Sequence, residues 1–145
     1  MTNTIAHARL DSPVVDGSAQ DMRDIKATVL DYCEGWFDAD PDRMRRALHP
    51  SLAKRSRAQD EARTPAVSSV TAEQMITWTA AGEGRPDGVP DRSVEIDVAD
   101  VGGDIASVIA HSHVYVDHLH LVRTPDGWRI INALWRYADG HGPAT

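Results

Sequence analysis

The chain has 145 residues, of which 41% are hydrophobic and 26% charged, a mixture typical of one globular domain. Its formal net charge of −7 disfavours nucleic acids and anionic membrane surfaces as partners, because both repel an acidic protein. No apolar run approaches the roughly 18 residues that a membrane span needs, and the N-terminus lacks the pattern of a secretory signal, so we expect a cytoplasmic protein.

Two helices are predicted in the first third of the chain, after a polar, flexible arm over residues 1–18. The first spans about residues 19–38, where apolar side chains recur at the spacing of one helical face. Cys33 belongs to that face and is expected to be buried, and as the only cysteine it cannot form an intramolecular disulfide. Asp40 fits the cap of a second helix over residues 41–48, which a following proline ends.

A polar stretch separates the second helix from a third. Residues 51–67 show no regular pattern and are predicted to be irregular. The third helix begins after Ser69 or Thr71, because Thr71 and Gln74 fit a capping box. It ends near Gly82, where a loop rich in glycine and proline leads to the strands.

Alternating side chains predict four strands in the second half of the chain. Residues 93–98 alternate with valine and isoleucine facing inward, and residues 105–114 are rich in β-branched and small side chains. The segment 117–135 is typical of a hairpin, because residues 124–127 (TPDG) are turn formers. Three helices followed by a four-stranded, mainly antiparallel meander indicate an α+β fold.

The terminal hairpin indicates which side chains face the interior. If Arg123 pairs with Trp128, alternation gives an inward face on which Asp117 and Asn132 are the only polar members. The further opposing pairs would be Leu121 with Ile130, Leu119 with Asn132, and Asp117 with Leu134. A carboxylate and an amide on an otherwise apolar face indicate either a pocket or buried polar groups with partners.

The other face of this sheet is expected to meet a second subunit. Three helices cannot cover both faces, and the outer face would keep the apolar side chains Ile131 and Trp135. Exposed apolar side chains of this kind are typical of a subunit interface, so a homodimer through the outer face is predicted.

Four segments in register resemble the NTF2-like superfamily, which includes steroid-isomerase-like and polyketide-cyclase-like (SnoaL-like) proteins. The segments are YCEGW at 32–36, ALHP at 47–50, DHLHLV at 117–122 and GWRIIN at 127–132, followed by Trp135. Within the superfamily the chain is most similar to the bacterial family labelled "putative lumazine-binding". The resemblance implies a curved sheet wrapped round a long first helix, a cone with a pocket at its open end, and homodimers through the sheet. The domain would cover residues 19–138, with a tail over 139–145.

Three residues are candidate catalytic groups. Asp117 begins a strand on the inward face, where burial would raise its pKa and suit it to proton abstraction, although it could instead cap a turn or pair with an arginine. Tyr32 could donate a hydrogen bond to a developing oxyanion, or pack in the core with its hydroxyl satisfied. His49, at the end of the second helix, could act as an acid or a hydrogen-bond donor, or satisfy carbonyls at the helix end.

Five further residues are candidates for the wall of a ligand pocket. Trp36, Trp78 and Trp128 would supply aromatic surface. Asn132 could orient a ligand, or bond to Asp117 or to a buried water. The fifth candidate is His113, whose orientation depends on the register of the preceding hairpin.

His113 faces outward, with His111, if Val114 pairs with Asp117. A turn one residue longer would pair His113 with Asp117 and place both histidines inside, because a one-residue slip reverses every side chain. His118 and His120 should point outward. A zinc site needs three or four convergent ligands, so we predict no metal, and no motif implies a cofactor.

A basic cluster lies between residues 43 and 57. It contains five arginines and Lys54, with no acidic residue inside its limits. The cluster could attract an anionic ligand, but it is interpreted as a solvated surface.

The sequence favours a small homodimeric protein that binds an apolar or aromatic molecule in one pocket per subunit. The alternative is a cofactor-independent proton-transfer enzyme, an isomerase, cyclase or dehydratase (a lyase). Asp117 would be its base, with Tyr32 and His49 stabilising an enol-type intermediate. A further alternative is a protein–protein interaction module with a filled core. A catalytic Asp117 should have a raised pKa and no arginine partner, which separates catalysis from binding.

Overall fold

Three helices and one seven-stranded sheet make up the computed structural model, which describes residues 14–15, 18–57, 67–84 and 91–142. The helices are α1 (Ala19–Asp38), α2 (Pro41–Ala47) and α3 (Ala72–Ala80). The strands are β1 (Val14–Val15), β2 (Leu48–Arg57), β3 (Val67–Val70), β4 (Val94–Gly102), β5 (Ile105–Ser112), β6 (Tyr115–Thr124) and β7 (Gly127–Tyr137). The predicted α+β class is confirmed. Most of the predicted N-terminal arm and the end of the predicted tail lie outside the described residues.

Helix α1 has the bounds that its apolar periodicity predicts. Ser18 caps it, because the Ser18 hydroxyl accepts a hydrogen bond from the amide of Asp21 and the Asp21 carboxylate accepts one from the amide of Ser18. The helix ends where Ala39 takes a left-handed conformation, with φ of 54°. Its apolar face, with Ile25 and Val29 fully buried, packs on the sheet.

The two short helices follow their predicted caps. Asp40 accepts a hydrogen bond from the amide of Arg43 at the start of α2, and Pro41 occupies the first turn. This helix ends at Ala47, one residue before the predicted limit, because Leu48 is already extended. The capping box of Thr71 and Gln74 begins α3, as predicted.

The sheet has the strand order β1-β4-β5-β6-β7-β2-β3. Its pairs are antiparallel except β1 with β4 and β2 with β7, which are parallel. Strands β4 to β7 are the four predicted ones. The prediction that residues 51–67 are irregular was wrong for residues 51–57 and for Val67, because β2 pairs with β7 and β3 pairs with β2. Residues 58–66 of that stretch lie outside the described residues. The sequence of β2 is polar and lacks a clean alternation, so only its tertiary partners reveal it as a strand.

A β-bulge in β7 changes which side chains of the terminal hairpin face inward. Leu121 pairs with Ile130, as predicted, but His120 pairs with Asn132, so Ile131 is the extra residue. Beyond the bulge Asp117 therefore opposes Trp135 instead of Leu134. The predicted pairings of Leu119 with Asn132 and of Asp117 with Leu134 were wrong for this reason.

The same bulge corrects the predicted outer face of the sheet. Trp135, expected outside, is half-buried on the inner face, whereas Leu134 lies outside and is 56% exposed. Ile131, at the bulge, is half-buried. The homodimer through this face stays a prediction. None of the helices in the described ranges is both long and apolar enough to cross a membrane.

Candidate functional site

A cavity of about 440 Å³ lies between the inner face of the sheet, the C-terminal half of α1, and α3. The chain has four tryptophans, three tyrosines and one phenylalanine, and all of them except Trp128 line this cavity. The aromatic lining is Tyr32, Trp36, Phe37, Trp78, Tyr115, Trp135 and Tyr137. Cavities of this size and character are typical of sites for small organic molecules.

The register of the sheet places the polar groups of the cavity in two adjacent rows. One row crosses five strands as Ala110, Asp117, Trp135, Ser56 and Ser68. The next row runs through Val108, Leu119, Ala133, Lys54 and Val70. Since residues two apart on a strand share a face, Lys54 and Ser56 both point to the side that carries Asp117.

A hydrogen-bonded chain of three side chains crosses the cavity from β2 to β6. The Lys54 ammonium donates to the Tyr32 hydroxyl at 2.7 Å, and this hydroxyl donates to Asp117 Oδ1 at 2.9 Å. Tyr32 and Asp117 are buried, at 4% and 6% exposure, and Lys54 is half-buried. The tyrosine therefore links a basic and an acidic group, and hydrogen bonds to charged groups of this kind are the strong ones.

Burial shifts the pKa of each of these three side chains in the direction that favours its neutral form. It raises the pKa of Asp117, although the Lys54 charge and the Tyr32 hydrogen bond oppose the change. It lowers the pKa of Lys54, against the attraction of Asp117. The pKa of Tyr32 lies well above its usual value because the hydroxyl is buried and lies beside the Asp117 carboxylate. Tyr32 is thus a neutral donor at ordinary pH.

Lys54 is held among aromatic rings. Its Nζ lies 5.0 Å from the ring centre of Tyr32, 5.6 Å from that of Trp135 and 5.9 Å from that of Trp36. These distances are in the range of cation–π contacts. Within the described part of the chain the Tyr32 hydroxyl is the only hydrogen-bond partner of the Lys54 amino group, so N–H donors of that group remain for a ligand.

The structure brings four of the predicted site residues together at the cavity. Tyr32 and Asp117 are hydrogen-bonded there, and Trp36 and Trp78 form part of its wall. Trp36 Nε1 also donates to the Tyr115 hydroxyl, at 3.5 Å. No arginine pairs with Asp117 among the described residues. This is the environment that a catalytic Asp117 was expected to have.

Four other predicted site residues lie away from the cavity. His49 is half-buried on β2, and its Nδ1 accepts a hydrogen bond from the Ser51 amide. Asn132 is exposed beside His120 because the bulge turns it outward. Trp128 is buried in the core, under the guanidinium of Arg123. These placements do not fit the predicted roles of the three residues in the pocket.

His113 is the fourth residue outside the cavity. It lies in the turn between β5 and β6, is exposed, and makes an edge contact with the ring of His141. Ala110 opposes Asp117, so neither predicted pairing, of Val114 or of His113 with Asp117, is correct. The turn is His113–Val114, two residues earlier than in the outward-facing alternative, and His111 faces outward as that alternative predicted. His111 accordingly lies on the outer face, beside Asp97.

Sequence reasoning missed Lys54 because it was grouped with the basic cluster. The arginines of α2 in that cluster are paired on the surface: Arg43 with Asp31 and Glu34, and Arg46 with Asp31. Lys54 differs because it lies on β2 and faces inward. The alternation of Leu52, Lys54 and Ser56 was the available signal, but it was hidden by the arginines between and around them.

The family described as "Putative lumazine-binding" matches residues 2–136 of the chain. No curated protein matches the chain. A similar solved structure is an NTF2-like protein of unknown function from Silicibacter pomeroyi, with 14% identity and a TM-score of 0.69, covering 84% of this chain and 99% of the other.

Two further structures show the same fold. An NTF2-like protein of unknown function from Shewanella baltica has 15% identity and a TM-score of 0.63, covering 86% of this chain and 98% of the other. A ketosteroid isomerase-like protein from Erwinia carotovora atroseptica has 11% identity and a TM-score of 0.60, covering 84% of this chain and 99% of the other. At these identities the likeness concerns the fold alone.

Proposed function

Because the chain belongs to the "Putative lumazine-binding" family of NTF2-like proteins, we propose that it binds a small planar aromatic molecule carrying an oxygen acceptor. The observation that carries the proposal is the Lys54 amino group, which faces an aromatic cavity with hydrogen-bond donors to spare. The aromatic walls would enclose the ring system and Lys54 would bind its oxygen.

The distribution of aromatic side chains supports a flat, unsaturated ligand. Seven of the eight tryptophan, tyrosine and phenylalanine residues line one cavity, and only Trp128 lies in the core away from it. Aromatic rings stack on or pack edge-to-face with other rings, which adds a preference beyond the burial of apolar surface. A saturated ligand would gain less from the same walls.

The polar groups of the cavity support a ligand with a carbonyl, phenol or enol oxygen. Lys54 can donate to such an oxygen without losing its bond to Tyr32. The Tyr32 hydroxyl already donates its proton to Asp117, so its role is to orient Lys54, and Lys54 makes the hydrogen bond to the ligand. The cavity also weighs against the interaction-module alternative, which required a filled core.

Binding of three probes tests this proposal. Lumazine is a planar heterocycle with carbonyl oxygens, 2-naphthol carries one hydroxyl, and naphthalene has no acceptor. We expect lumazine and 2-naphthol to bind more tightly than naphthalene in calorimetric titrations. Lys54→Met should weaken their binding about tenfold, or about 1.4 kcal/mol, whereas the matched variant Lys26→Met, on the exposed side of α1, should not. Equal affinity of both variants for 2-naphthol would refute the role of Lys54.

A proton-transfer enzyme is the second candidate function, and the environment of Asp117 favours it. The carboxyl group is buried and its pKa is raised, as a general base requires, and Oδ2 accepts no hydrogen bond within the described ranges. His49 has no part in this version, because it lies outside the cavity. Isomerisation of a bicyclic β,γ-unsaturated ketone, followed by the ultraviolet absorbance of the conjugated product, tests it. Activity that survives Asp117→Asn would exclude Asp117 as the base.

A further inference from the structure

The amino group of Lys54 is placed as a nucleophile. Its Nζ lies inside the cavity among the rings of Tyr32, Trp36 and Trp135. Among the residues that the structure describes, no carboxylate forms an ion pair with Nζ. We propose that Lys54 forms a covalent imine with an aromatic aldehyde or ketone bound in this cavity. This inference rests on the proposed binding function and deepens it, since it names the reactive class of ligand.

The hydrogen-bonded chain supplies the proton transfers that imine formation needs. Nζ attacks the carbonyl carbon, a C–N bond forms, and the π electrons of the C=O bond move to oxygen. One amine proton passes to Asp117 through Tyr32, whose hydroxyl lies 2.7 Å from Nζ and 2.9 Å from Oδ1. The protonated Asp117 then returns this proton through the same hydroxyl to the alkoxide oxygen, so a neutral carbinolamine forms and Asp117 is again a carboxylate. Loss of the carbinolamine hydroxyl group with the second amine proton releases water and leaves the C=N bond.

Burial makes the neutral, nucleophilic form of the Lys54 amine easier to reach than that of an exposed lysine. Burial lowers its pKa, because an ammonium ion loses hydration among apolar rings, while Asp117 raises it through charge attraction. The aromatic walls also limit access of bulk water, which would hydrolyse the imine. Binding of a carbonyl compound beside Nζ would convert a slow bimolecular condensation into a reaction within one complex.

The chain contains only two lysines, which gives the experiment an internal control. Lys26 is exposed on α1 and does not line the aromatic cavity that contains Lys54. The full chain is incubated with 2-naphthaldehyde and sodium cyanoborohydride, which reduces an imine to a stable amine. Peptide mapping by mass spectrometry then measures the adduct at each lysine and at the terminal amine.

We expect the adduct to form at Lys54 about tenfold or more faster than at Lys26, because only Lys54 has a bound aldehyde and a neighbouring proton relay. Tyr32→Phe should slow labelling of Lys54 and leave Lys26 unchanged. Because burial lowers the pKa of Lys54, the pH midpoint for its labelling should lie below the ordinary lysine pKa of 10.5. Lys54→Arg should abolish the fast reaction.

The outcomes separate this inference from the binding proposal. If 2-naphthol binds to the protein but 2-naphthaldehyde labels Lys54 no faster than Lys26, the imine is refuted and the binding site stands. If neither compound binds and both lysines react alike, both proposals fail. Fast labelling of Lys54 that is blocked by excess 2-naphthol supports both.

Discussion

Substitution of Tyr32 by phenylalanine isolates the hydroxyl that joins Lys54 to Asp117. The ring remains, so its packing in α1 and its contact with the Lys54 ammonium at 5.0 Å are kept. Two hydrogen bonds are lost, at 2.7 Å and 2.9 Å, and each involves an ionisable partner. Such bonds contribute about 1.5–3 kcal/mol each, and water entering the cavity would restore part of that, so we expect a loss of about 3 kcal/mol.

Urea unfolding of the wild type and Tyr32→Phe at neutral pH measures this loss. Tyr137→Phe is the matched control, because Tyr137 lines the same cavity and its hydroxyl makes no hydrogen bond in the described part of the chain. The control should change the free energy of unfolding by less than about 0.5 kcal/mol. Equal losses for the two variants would refute the argument that the Tyr32 hydroxyl holds a buried acid and base together.

Three further predictions concern the cavity and its surroundings. Burial raises the pKa of Asp117 in the folded state above 3.8, its ordinary value. Between pH 3.8 and that raised pKa, the native state therefore binds more protons than the unfolded state. The free energy of unfolding of the wild type relative to Asp117→Asn should therefore fall as pH rises across that window, by at most about 1.4 kcal/mol per pH unit, and then stay level; a rise in urea titrations would contradict this. A Cβ at Gly84 would lie 2.3 Å from the Trp36 carbonyl oxygen and 2.6 Å from its ring, so Gly84→Ala should cost about 1–3 kcal/mol in thermal unfolding and weaken binding of 2-naphthol. Gly102→Ala, with nothing within 4 Å of its added Cβ, should bind 2-naphthol normally. Because Cys33 is buried and its thiol pKa is raised, it should react with a disulfide reagent only after unfolding, and rapid reaction of the native protein would show an open path to it.

The helices could be predicted because their signals are local. The start of α3 follows from a capping box within four residues, and α1 follows from apolar spacing along a single segment. The strands β4 to β7 alternate or are bounded by turn residues, so they too were visible. The inward direction of Asp117 was also predicted. The hairpin turn sets the register of the residues beside the turn, and β6 alternates without a bulge from there to Asp117.

The directions of the side chains along β7 could not be predicted, because a β-bulge leaves little trace in the sequence. Ile131 is an ordinary strand residue, yet as the extra residue it turns Trp135 into the cavity and Asn132 to the surface. One of the eight predicted site residues, Asn132, and the predicted apolar outer face with Trp135 depended on that single position. The alternation of side chains does not show where a strand contains one extra residue.

The amino-acid sequence by itself determined the order of helices and strands, the caps, the family resemblance and the placement of Tyr32 and Asp117 on interior faces. Only the tertiary structure decided that Lys54 joins them, because β2 becomes a strand by pairing with β7 across about 80 residues of chain. The chemistry of the site depends on that pairing, since it brings a base and an acid from distant segments to one tyrosine hydroxyl. Contacts between residues far apart in sequence are set by the whole fold, and local patterns do not encode them.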